Sequence, residues 1–170
     1  WSLFEGTDEN MGTLRGIRFE AYAHKKILLH GVDGTAKKLT QTAISSSVTK
    51  RVVIPPGAAK YRLRDNDVGQ LATQRAEVHR NGGGYMLPYL PNYPVIDSAF
   101  VSATSSPCYM LQMIAGRSKP LSDKVTTVTA ALGNTFIVVV PNDLIVTKKL
   151  AGSPATMDQF VLILAEATSM

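Results

Sequence analysis

One cysteine, one tryptophan and no apolar run near the roughly 20 residues needed to cross a bilayer set the first limits on this chain of 170 residues. Cys108 has no partner for an internal disulfide, so the core must supply the stability and a reducing compartment is expected. It is expected to be a small buried hydrophobe. The N-terminus lacks the basic, apolar, small-residue order of a signal peptide, and the first residue is Trp1 rather than an initiator Met, which predicts a fragment of a longer protein. Several catalytic signatures are also missing. His24, His30 and His79 show neither HExxH nor paired-cysteine spacing, which argues against zinc. Gly82, Gly83 and Gly84 precede no GK[ST] and fit no GxGxxG, and no serine sits in GxSxG, so a nucleotide phosphate loop and a nucleophile elbow are both excluded.

What remains is a folded body. Apolar residues make up 45% of the chain, enough for one core, and the length suits a single domain over 1–170. Eighteen basic against thirteen acidic side chains give a formal charge of +5, which favours phosphate-bearing or acidic partners. No membrane partner is expected.

Apolar spacing at Leu14, Ile17, Ala21 and Leu28 predicts a helix from Asn10 to about Leu29, stopped at His30-Gly31. The segment from Gly31 to Ser47 has no clear period and stays unassigned. Short strands are predicted at Arg51 to Ile54 and Lys60 to Leu63, then a helix over Val68 to His79 capped by Asp65 or Asp67. Beyond the glycines, strands are expected at Tyr85 to Leu90, Val95 to Val101 and Cys108 to Ile114. A helix marked by Leu121, Val125, Val128 and Leu132 follows, then apolar strands at Thr135 to Val140 and Phe160 to Ala165. The crossover from Cys108 to Val140 should be parallel. The expected fold class is α/β, a mixed central sheet flanked by helices.

Polar residues interrupt this pattern at a few places. Glu20 and His24 lie one turn apart, beside Ile17, Ala21 and Ile27 rather than with Arg15, Arg18, Lys25 and Lys26, so both should face the protein. A carboxylate there must be paired, metal-bound or protonated. Taken alone, this feature is read first as an internal Glu20–His24 or Glu20–Arg pair. Asp97 and Gln112 interrupt adjacent predicted strands, and could stand side by side with Glu20 delivered over the same sheet edge. Arg117 and Lys119 would supply positive charge just beyond. Such a set suits a hard divalent cation that activates water beside a phosphate, and magnesium needs few carboxylates. Tyr85, Tyr89 and Tyr93 could stack on bases or simply pack a turn against the sheet.

Four segments carry a family resemblance. The helix Gly12-Thr-Leu-Arg15-Gly16-Ile-Arg-Phe19-Glu20-Ala-Tyr22-Ala-His24 resembles the entry helix of the Crinkler and retrotransposon hot spot C-terminal domain. Tyr89 to Pro94 followed by Val95-Ile96-Asp97-Ser98-Ala99-Phe100 is similar to that family's aromatic and proline segment with its Ile-Asp strand. Leu111-Gln112-Met113 with Lys119-Pro120, and Val138-Val-Val140-Pro141-Asn-Asp143, resemble its later landmarks. The resemblance implies a restriction-endonuclease-like fold and a site of Glu20, Asp97, Gln112 and Lys119, with His24 beside it. Glu20 and Asp97 would hold magnesium or manganese, and Arg15, Arg18 and Arg117 would meet nucleic acid. The stretch Gln112-Met113-Ile114 carries neither the acid nor the lysine usual in that nuclease superfamily. The resemblance also implies an effector secreted into a host cell and acting in its nucleus, here without its N-terminal trafficking region. Its targets would be DNA or another nucleic acid, or, if the chemistry is lost, a host protein.

Overall fold

The computed structural model describes residues 8–64, 67–89, 93–104, 108–116, 118–142 and 145–165, with side chains of the first helix from residue 14 onward. Helix α1 (Asp8–His30) is followed by strands β1 (Val32–Leu39), β2 (Ile44–Ile54) and β3 (Lys60–Leu63), then α2 (Leu71–Arg80), β4 (Gly84–Pro88), β5 (Ser98–Val101), β6 (Tyr109–Met113), α3 (Val125–Leu132), β7 (Thr135–Val140) and β8 (Asp158–Ile163). The strands form one mixed sheet in the order β2-β1-β8-β7-β6-β5-β4-β3. Pairs β3/β4, β6/β7 and β7/β8 are parallel and the others antiparallel. The chain is thus α/β with a mixed sheet flanked by helices, and the β6–α3–β7 crossover is parallel as expected. No helix among the described residues is long and apolar enough to cross a membrane.

Two apolar layers cover the sheet. Leu71 and Val78 of α2 and Val125, Val128 and Leu132 of α3 pack on one face with Met86, Met110, Phe136 and Val138. Phe19, Ala23 and Ile27 of α1 pack on the other with Tyr85, Leu111, Ile137 and Val139. Strand β7 is apolar on both sides because it is covered on both sides. Cys108 is buried and its thiol pushed up to about 12 by that burial, so it packs rather than reacts.

Four details differ from the sequence reading. The unassigned stretch after Gly31 forms the long β1–β2 hairpin, closed at Thr40, whose hydroxyl donates to Ala43 O at 3.0 Å. The strand expected from Val95 begins only at Ser98, because Val95 sits at φ 73°, a conformation no strand accepts. Helix α3 begins at Val125, since Leu121 instead donates its N–H to Ala151 O at 2.8 Å. Finally, α1 is rolled from its expected orientation. Ile17 is 60% exposed and Ala21 is exposed, while the buried stripe is Phe19, Ala23 and Ile27. Ile17 lies about 200° round the helix from Phe19, so both cannot meet the sheet.

The junction of α1 and β1 depends on Gly31. Its N–H caps the helix on Ile27 O at 2.9 Å, its φ is +67°, and an added Cβ would stand 2.4 Å from Ile54 O. Gly31→Ala should therefore cost about 2–4 kcal/mol, from left-handed strain together with the clash. An unchanged denaturant midpoint would contradict this placement of the helix end.

Candidate functional site

Asp97 owes its position to the turn before β5. The strained Val95 reverses the chain, after which Asp97 N–H donates to Leu111 O at 2.8 Å although Ser98 is already the Cα partner of Leu111. Two residues thus face one, as in a β-bulge, which re-aims the side chain. The freed carboxylate accepts from Met113 N–H at 2.8 Å through Oδ2. Burial pushes the Asp97 carboxyl up to about 6, helped by the nearby negative charge of Glu20 and opposed by the Met113 N–H and by His24.

Helix α1 supplies the rest of the site. Glu20 and His24 flank the buried stripe, with side chains 43% and 16% exposed, and His24 Nε2 lies 3.5 Å from Glu20 Oε1. The other ring nitrogen reaches inward, His24 Nδ1 standing 2.8 Å from the hydroxyl of Tyr85. That hydroxyl is 2.7 Å from Ser98 Oγ, and Tyr85 and Ser98 are both wholly buried. Burial, reinforced by the charges of Asp97 and Glu20, raises the Tyr85 phenol well above its ordinary range, so Tyr85 stays protonated. A line of polar groups therefore runs from the half-open Glu20 to the buried Ser98, with Asp97 beside it. Ser98 has no access to a substrate, which removes it as a nucleophile.

Gln112 does not join this group. Alternation along β6 sets Gln112 on the α2–α3 face with Met110 and Ile114, opposite the face that α1 covers. Its Oε1 is buried and has no hydrogen-bond partner among the described residues. Lys119 is exposed on the connection to α3 and makes no hydrogen bond or ion pair with the described residues. Arg117 lies outside the described residues, as do Asp65 and Asp143. Arg15 and Arg18 are exposed on α1, on the solvent side where nucleic acid could reach them. Of the tyrosines, Tyr85 and Tyr93 are packed in the core, and Tyr89 is 72% exposed.

The Asp97 acid is raised chiefly by burial, and the lesser repulsion from Glu20 is of the kind a cation relieves. Among the described residues no group of three or more His, Cys, Asp or Glu side chains is arranged as a metal cage. Sequence reasoning gave Tyr85 only a base-stacking or packing role and passed over Ser98. One signal was there in retrospect: Ser98 adjoins Asp97, and a tyrosine buried in a sheet needs a polar partner for its hydroxyl. Compared with known proteins, the chain matches no family model, no curated protein and no solved structure.

Proposed function

We propose that this chain is a nucleic-acid-directed effector domain of the Crinkler and retrotransposon hot spot kind. In this reading it has a restriction-endonuclease-like core and acts in the nucleus of a host cell, with its centre at Glu20 and Asp97. The feature that carries the reading is a buried carboxylate at a strand entrance, Asp97, on the side of the sheet that α1 covers and held up to about 6 by burial with a lesser contribution from the charge of Glu20. A magnesium or manganese ion held by these two would polarise a phosphodiester and activate water beside it. Glu20 and Asp97 orient that centre, His24 offers a ring N–H next to it, and Arg15 and Arg18 attract phosphate from the exposed side of α1.

The orientation of Gln112 favours a second reading. With its amide on the other face of β6, the α1 face keeps two carboxylates and no further ligand from that strand. A nuclease-like fold that binds DNA or a host protein without cutting is consistent with such a site.

Labelled single- and double-stranded DNA and RNA, incubated with purified protein in magnesium, manganese or chelator, separate the two readings. Cleavage is expected only with metal. Binding is expected to fall at least about tenfold between 50 and 200 mM salt, because a charge of +5 acts mainly on phosphates. Salt-dependent binding without cleavage would select the binding module, and no binding at low salt would reject both.

A further inference from the structure

The protons along the polar line can be placed by counting acceptors. Tyr85 Oη lies 2.8 Å from His24 Nδ1 and 2.7 Å from Ser98 Oγ, and no other hydrogen bond among the described residues reaches either hydroxyl. Suppose Ser98 donates to Tyr85 and Tyr85 donates to Nδ1. With a single ring proton, the imidazole then carries it on Nε2, on the side of Glu20, whose Oε1 lies 3.5 Å away, and both buried hydroxyl protons have acceptors. In the reverse direction Nδ1–H donates to Tyr85 and Tyr85 to Ser98. The hydroxyl proton of Ser98 is then left without an acceptor in a wholly buried place, and the Nε2 lone pair points at a carboxylate. An unpaired buried donor is costly, so the first direction prevails.

We infer that Tyr85, which accepts from Ser98, is a positioning residue that holds His24 as its Nε2–H tautomer, so that the site offers an N–H donor beside Glu20 to an anionic oxygen such as that of a phosphate ester. The use of that donor rests on the nucleic-acid reading above, whereas the tautomer does not. His79 is an internal contrast. Its Nδ1 lies 3.0 Å from the Ser102 carbonyl, which can only accept, so His79 must carry its proton on Nδ1.

Long-range proton–nitrogen correlation NMR on metal-free protein labelled with nitrogen-15 histidine, at about pH 8 where an ordinary imidazole is neutral, reads both tautomers directly. His24 should show a pyrrole-type Nε2 and a pyridine-type Nδ1, and His79 the reverse, with His24→Gln assigning the first set by its loss. Tyr85→Phe should move the His24 signals toward an average of the two forms. Ser98→Ala should leave them in place, because Tyr85 can still donate to Nδ1. A wild-type His24 in the Nδ1–H form overturns the inference, and so does a Tyr85→Phe spectrum identical to that of wild type. The wild-type spectrum still tests the tautomer if Tyr85→Phe fails to fold. Absence of cleavage with the tautomer as assigned would remove the nuclease reading and leave the positioning role standing.

Discussion

Asp97→Asn is expected to make the protein more stable at pH 7, by up to about 3 kcal/mol. The Asp97 carboxyl is held up to about 6 in the folded chain against an ordinary 3.8, so the native state takes up this proton more readily than the unfolded state. Its contribution to stability is fully present below about pH 4 and is lost as pH rises through 6. At 1.36 kcal/mol per unit, that loss is about 3 kcal/mol at neutral pH. Asparagine can keep an oxygen facing the Met113 N–H, which now donates to Asp97 Oδ2, and carries no charge to desolvate. Urea unfolding of both proteins at several pH values should show a gap that is small at pH 4 and widens to pH 7. A gap that stays constant across this range would refute the environment assigned to Asp97. A residue kept ionisable at the expense of stability is characteristic of a working site.

The largest expected effect on activity is loss of metal-dependent cleavage in Asp97→Ala and in Glu20→Ala, each by on the order of 10³-fold or more, since several kcal/mol of charge stabilisation would go with the cation. Nucleic-acid affinity measured with chelator present should be nearly unchanged or slightly tighter, because each substitution removes a negative charge from a basic protein. Gln112→Glu sharpens the comparison. If a missing strand ligand limits the site, this variant would raise the rate; with residue 112 facing the α2–α3 layer, it should instead bury a charge away from Glu20 and lower stability without restoring anything. Cleavage that survives Asp97→Ala would place the chemistry elsewhere or in a contaminant.

Much of the scaffold could be read along the chain because its signals are local. The apolar run of β7, the cap at Asp67, whose side chain accepts from Gly69 N–H at 2.9 Å in the 3-10 turn Val68–Gln70 that leads into α2, and the crossover through α3 all follow from neighbours within a few residues. Apart from Arg51 to Ile54 at the end of β2, the β1–β2 hairpin could not be read this way. Its polar positions face solvent, and only Val32, Ala36, Val52 and Ile54 pack beneath α1, too sparse a pattern to stand out among Lys, Thr and Gly.

The candidate site divides along the same line. Composition and spacing alone establish a basic single-cysteine chain, an entry helix with Glu20 and His24 one turn apart, and an aspartate beside a strand. Which face of α1 meets the sheet depends on how Phe19 and Ala23 fit strands that include β4, β6 and β7, more than 60 residues away in sequence, because a helix with apolar residues on several sides has no preferred roll until it docks. The parting of Asp97 from Gln112 and the joining of His24 to Tyr85 and Ser98 arise in the same way. The irregular pairing at Leu111 re-aims Asp97, while Gln112 keeps the alternation of β6, and pairing between strands is a property of the assembled sheet rather than of either segment.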